Sequence, residues 1–157
     1  MLSPGFLDEL DALAVRLGAD VIMGPRTHHA YGRWLTLHRD DDTMATLGHT
    51  ISVRSIESGR VLIEAGFAVR VKVSTVPMAP GRASAAADLI AALLTGNVVE
   101  GVVLEGETSW SRVVWRGRTE ARTWDLYGPL PGERVLWRRS LGIPRVGRTP
   151  LDDEVAS

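Results

Sequence analysis

The chain contains no cysteine. That excludes disulfides, thiolate nucleophiles, iron–sulfur clusters and cysteine zinc sites together. It does not fix the compartment, because small exported proteins can also lack cysteine. Lysine is nearly absent: Lys72 stands alone, and 17 of the 18 basic side chains are arginine. No apolar run approaches the length of a membrane span. The opening Met1-Leu2-Ser3-Pro4-Gly5 shows no basic region leading into an apolar stretch, so the sequence predicts no secretory signal and a cytoplasmic location. The phosphate-binding loop, the Gly-rich dinucleotide turn, the zinc-protease helix and the nucleophile elbow are missing as well, and with them any implied cofactor.

What is present is ordinary globular composition, 45% hydrophobic and 24% charged over 157 residues. This length suits one domain with a real core. We expect a single α+β domain over residues 1–141 and an extended, irregular tail over 142–157, where Pro144, Gly147 and Pro150 precede an acidic end.

The stretch from Ile51 to Val76 organises the reading. Ile51 to Ile56 and Arg60 onward predict a hairpin turning at Ser58-Gly59, since glycine accepts positive φ without a Cβ clash. In the second arm Phe67, Val69, Val71 and Val73 alternate with Ala68, Arg70, Lys72 and Ser74, the pattern of a strand with one buried face. Fully extended, Arg60 to Val76 would span roughly 50 Å. A bend or bulge is therefore expected, and Gly66 is its natural place.

Two helices are expected. Ser3 caps the first, and Phe6, Leu10, Leu13 and Leu17 form its apolar stripe. The second runs from about Arg82 to Thr95, burying Ala86, Leu89, Ile90, Leu93 and Leu94. Ala19–Met23 and Arg33–Arg39 read as strands before the hairpin. Val98–Leu104, Trp110–Arg116 and Arg118–Tyr127 read as strands after the second helix, and Glu133–Leu141 as a short helix. The resulting class is α+β: a mainly antiparallel sheet with two helices on one face, in the order α-β(3-4)-α-β(2-3).

Three groups of side chains could carry function. His28, His29, His38 and His49 fall within 22 residues, with Asp40, Asp41 and Asp42 among them. Imidazole and carboxylate could hold a metal or serve acid–base chemistry, but His28 and His29 diverge in an extended segment, and we expect no bound metal. Glu100, Glu105 and Glu107 could supply a carboxylate pair only if the fold brought two together.

The third group is the most distinctive. Residues 112–148 carry 9 basic and 3 acidic side chains, against 9 and 13 in residues 1–111. Four of the five tryptophans lie in or beside this basic region. Arginine and tryptophan together dominate protein interfaces. The expected contact set is Trp110, Arg112, Trp115, Arg118, Arg122, Trp124, Trp137, Arg138 and Arg139, facing another protein chain or a second copy. Nucleic acid is disfavoured by the overall charge of −1 and the lack of a recognised binding motif. The order helix–strands–helix–strands resembles small secretion chaperones, toxin-neutralising immunity proteins and phage-tail connector proteins in architecture alone. The sequence thus points to a non-enzymatic protein-binding module acting through a Trp/Arg-rich surface, of structural-assembly, chaperone-like or immunity type. The competing expectation is a small His/Asp-dependent hydrolase, with or without a metal.

Overall fold

Helix α1 (Pro4–Leu17) begins where Ser3 Oγ accepts the Phe6 N–H at 3.3 Å. Helix α2 (Ala85–Leu94) begins likewise at Ser84, whose Oγ accepts the Ala87 N–H at 3.2 Å. Each serine satisfies a first-turn donor that the helix cannot satisfy itself. The two starts are also tied to each other: Glu9 on α1 accepts from the Ser84 N–H at 2.8 Å and from its hydroxyl at 2.7 Å.

A computed structural model describes residues 2–17, 19–22, 34–39, 51–119, 121–124 and 129–140; in 19–22 and 34–39 the description is of the backbone alone. Before α2 come β1 (Ala19–Ile22), β2 (Trp34–Arg39), β3 (Ile51–Glu57), β4 (Arg60–Ala65) and β5 (Val69–Ser74). After it come β6 (Val98–Leu104), β7 (Trp110–Arg118), β8 (Thr123–Trp124) and β9 (Arg134–Arg139). The class is α+β, every strand pair is antiparallel among the described residues, and the alternation α-β-α-β is the expected one, with five strands before α2 and four after it where three or four and two or three were expected.

The strands form two sheets, ordered β1-β2-β3-β4-β5 and β8-β7-β6-β9. The chain leaves the first sheet through α2, and β6 then finds its partners in later strands. The core is nonetheless continuous. Phe6, Leu10 and Leu13 of α1 meet Leu89, Ile90 and Leu93 of α2 on Ile51, Val53, Val61, Ile63, Val69 and Val73 of the first sheet. Leu17 and Val71 pack against this cluster, and Val98 and Trp115 join it from the second sheet. In β4 and β5 the register pairs Val61 with Val73 and Ala65 with Val69, which places these residues on one face.

Two expectations are corrected. The arm from Arg60 to Val76 is a second hairpin, because the chain reverses at Gly66 (φ 58°) and β5 returns along β4. Phe67 therefore sits in a turn. The segment from Arg134 is a strand where a short helix was expected. Its neighbour β6 offers a complete ladder from Leu104↔Arg134 to Val99↔Arg139, and tertiary pairing overrides its helix-compatible composition. The expected tail over 142–157 lies outside the described residues.

Candidate functional site

The second sheet meets the Gly66 turn through one buried carboxylate. Glu100 sits in the middle of β6 and is 1% exposed. The Phe67 N–H donates to its two oxygens at 2.9 and 2.8 Å, and the Ala68 N–H donates to Oε2. The tip of the β4–β5 hairpin is thereby pinned to β6. At Gly66 an added Cβ would overlap Glu100 Oε1 and the Ser140 carbonyl oxygen. Only glycine permits so close an approach at positive φ.

Burial pushes the Glu100 carboxyl above its ordinary value of 4.5, against the lowering effect of the Phe67 and Ala68 N–H groups and of Arg138. The Arg138 guanidinium lies 4.0 Å from Glu100 Oε1 and 5.5 Å from the centre of the Phe67 ring. A raised folded-state pKa means that the unfolded chain releases the proton first. Stability linked to Glu100 is then fully present below 4.5 and is lost as pH rises through the folded-state value. Glu100→Gln is expected to remove this dependence. Unfolding free energies from urea titrations across that pH window should fall with pH in the parent, and the fall due to this carboxyl should be absent in the variant.

Beside the clamp lies a cleft of about 450 Å³, lined by Phe67, Glu100, Gly101, Val102, Leu136, Trp137 and Arg138. In register, Glu100 faces Arg138 and Val102 faces Leu136, so these four share a sheet face. Phe67 (59% exposed) and Leu136 (65%) leave large apolar area in water. Trp110, 55% exposed, stands opposite Leu104 on the neighbouring strand.

The structure divides the nine expected contact residues. Trp115 is 1% exposed and belongs to the core, so it is withdrawn from the contact set: its strand turns it toward the helices. Trp124 is half-buried against that core, opposite Gly117. Arg122 holds the hairpin of β7 and β8 to α2, with Nε 3.3 Å from Asp88 Oδ2, while Thr119 Oγ1 donates to the same oxygen at 2.8 Å. Arg112 pairs with Glu133. Arg139 donates to the Gly96 carbonyl at 2.6 Å, just beyond the end of α2. Arg118 donates its N–H to the Asn97 carbonyl at 3.0 Å. Trp137 covers Gly101, where a Cβ would meet its ring at 3.1 Å, and Arg116 lies 5.9 Å from the ring centre. Trp110 and Arg138 remain as the well-exposed members.

Sequence reasoning missed Phe67, Arg134 and Leu136. The last two were hidden by the helical reading of their segment, although the alternation Arg134, Leu136, Arg138 was there to be counted. Glu105 and Glu107 lie exposed beyond the end of β6, whereas Glu100 is buried and committed to backbone donors. The three carboxylates are not gathered. His28, His29 and His49, with Asp40–Asp42, lie outside the described residues, and for His38 only the backbone is described.

The fold and site define a two-sheet α+β protein with an apolar, arginine-rimmed cleft where a hairpin tip is clamped to the second sheet. No protein-family model matches the chain, no curated protein matches it, and no solved structure matches it. No described helix is long and apolar enough to cross a membrane.

Proposed function

We propose that the chain is a non-enzymatic protein-binding module for structural assembly, whose contact surface is the cleft face of the second sheet. The supporting observation is that exposed Phe67 and Leu136 line the cleft with Arg138, while Trp110 stands exposed opposite Leu104 on the same sheet. Burying apolar area stabilises a complex by about 25 cal/mol per Å². Arginine at the rim contributes orientation and partner choice more than affinity. The surface combines the aromatic, aliphatic and arginine types from which interface centres are built. The partner is another protein chain, a second copy included. No cofactor, nucleic acid or membrane enters this reading.

The test is a photo-crosslinking residue at Leu136, with the same residue at Val15 on α1 as the exposed control. A discrete adduct formed from position 136 and not from position 15, and lost in Phe67→Ser with Trp110→Ser, is the expected result. Equal adducts from both positions, or none from 136, would overturn the proposal.

A further inference from the structure

The hairpin of β6 and β7 ends in the exposed run Glu105-Gly106-Glu107-Thr108-Ser109-Trp110. The Glu105 N–H donates to the Ser109 carbonyl at 3.1 Å, which closes the tip. Trp110 opens β7 and is more than half exposed. An indole standing in water beside two carboxylates makes a knob with an apolar centre and an acidic flank.

The cleft has the opposite character. Phe67, Val102 and Leu136 give it apolar walls, and the exposed Arg138 gives it a cationic rim. The acid nearest Arg138 is Glu100, which is buried and accepts the Phe67 and Ala68 N–H groups. A cleft of about 450 Å³ falls in the range of sites that enclose a small molecule, so it has room for an indole.

Knob and cleft lie along one face of the same sheet. Glu100 and Val102 are on the cleft face, and Leu104 follows at the same alternation. Leu104 pairs with Arg134 on one side and with Trp110 on the other. From Arg134 to Arg138 the strand advances about 13 Å. A two-fold axis between the two ends of this face places each knob on the other copy's cleft. Such a contact is isologous, and it closes at two copies.

We propose that two copies of this chain dock cleft face to cleft face, with Trp110 of each entering the other's cleft and Glu105 and Glu107 lying beside the other copy's Arg138. The aromatic anchor supplies most of the affinity, and the charges set orientation and register. The inference rests on the binding reading above and names its partner.

Sedimentation equilibrium of the full chain tests this. The mass should rise with concentration to twice that of one chain and stop there. Trp110→Ala should weaken association by more than about tenfold, because an aromatic seated in a pocket is the kind of residue that dominates an interface. In dilute solution, where the chains are single, this variant should unfold as the parent does, which separates lost association from lost folding. Glu105→Arg with Glu107→Arg, and separately Arg138→Glu, should each stay single, since like charges then meet at both contacts. Mixed in equal amounts, these two variants should form a one-to-one pair, because both contacts then join opposite charges. A chain that stays single at every concentration, a mass that grows past two copies, or a Trp110→Ala variant that associates like the parent would overturn the proposal. So would a mixture of the folded charge variants that associates no better than either alone. The Trp110 and tip substitutions fall on exposed residues, so those arms hold even if Arg138→Glu fails to fold. A Leu136 adduct with a different protein, from a chain that stays single, would remove the second copy and leave the contact surface standing, so the two failures are distinguishable.

Discussion

Gly66→Val is expected to lower the unfolding free energy by about 4 kcal/mol. A left-handed backbone costs a residue with a Cβ about 1–2 kcal/mol. Steric overlap in a packed site adds about 1–3 kcal/mol. The overlap is with the Ser140 carbonyl oxygen and the Glu100 carboxylate, and the first of these is main chain that cannot rotate away. Gly81→Val is the control. Gly81 has φ 75°, and nothing lies within 4 Å of where its Cβ would be. It should cost only the backbone share, about 1–2 kcal/mol. Urea unfolding of both variants gives the comparison, and the excess at Gly66 measures how tightly the hairpin tip docks on the second sheet. Equal losses in the two variants would show that the tip is not held there.

The second large effect concerns Trp115. Trp115→Ala should cost about 3–5 kcal/mol, the range for truncating a large buried aromatic. The side chain is among the largest that are fully buried, and it brings the second sheet into the core shared by both helices. Trp110→Ala, on the same strand but 55% exposed, should change stability by no more than about 0.5 kcal/mol. Thermal and urea unfolding would separate them. A small loss at Trp115 would mean that the sheets are not joined through this residue.

The contrast between these tryptophans shows what could be read from the chain. Periodicity exposed both helices and their buried stripes, because residues a turn apart interact locally. Gly59 marked a hairpin for the same reason: the turn is built from adjacent residues. Gly66 was legible as a departure from a straight strand, but Gly66-Phe67-Ala68 lacks the asparagine or aspartate that announces a tight reversal. Glu100 was legible only as a carboxylate near a strand end, since its donors lie 33 and 32 residues away in the chain. Counting tryptophans and arginines found the right segment of chain. It could not tell Trp115 in the core from Trp110 on the surface, because strand twist and the position of α2 decide that. The strand character of Arg134–Arg139 is likewise supplied by β6.

That pairing of β6 with β9 bears on the order in which the molecule assembles. The first sheet is a meander in which each strand pairs with the next in sequence. Each of its contacts between β3, β4 and β5 closes a short loop. The entropy of closure grows with loop length, and local pairings form first. Strand β6 finds β7 through a short turn, whereas its other neighbour begins at Arg134, opposite Leu104 and about thirty residues further along. The β6–β9 seam is therefore expected to close late in folding and to open early in unfolding. A ligand that gripped β9 only in its paired state would hold the seam shut by mass action and slow its opening.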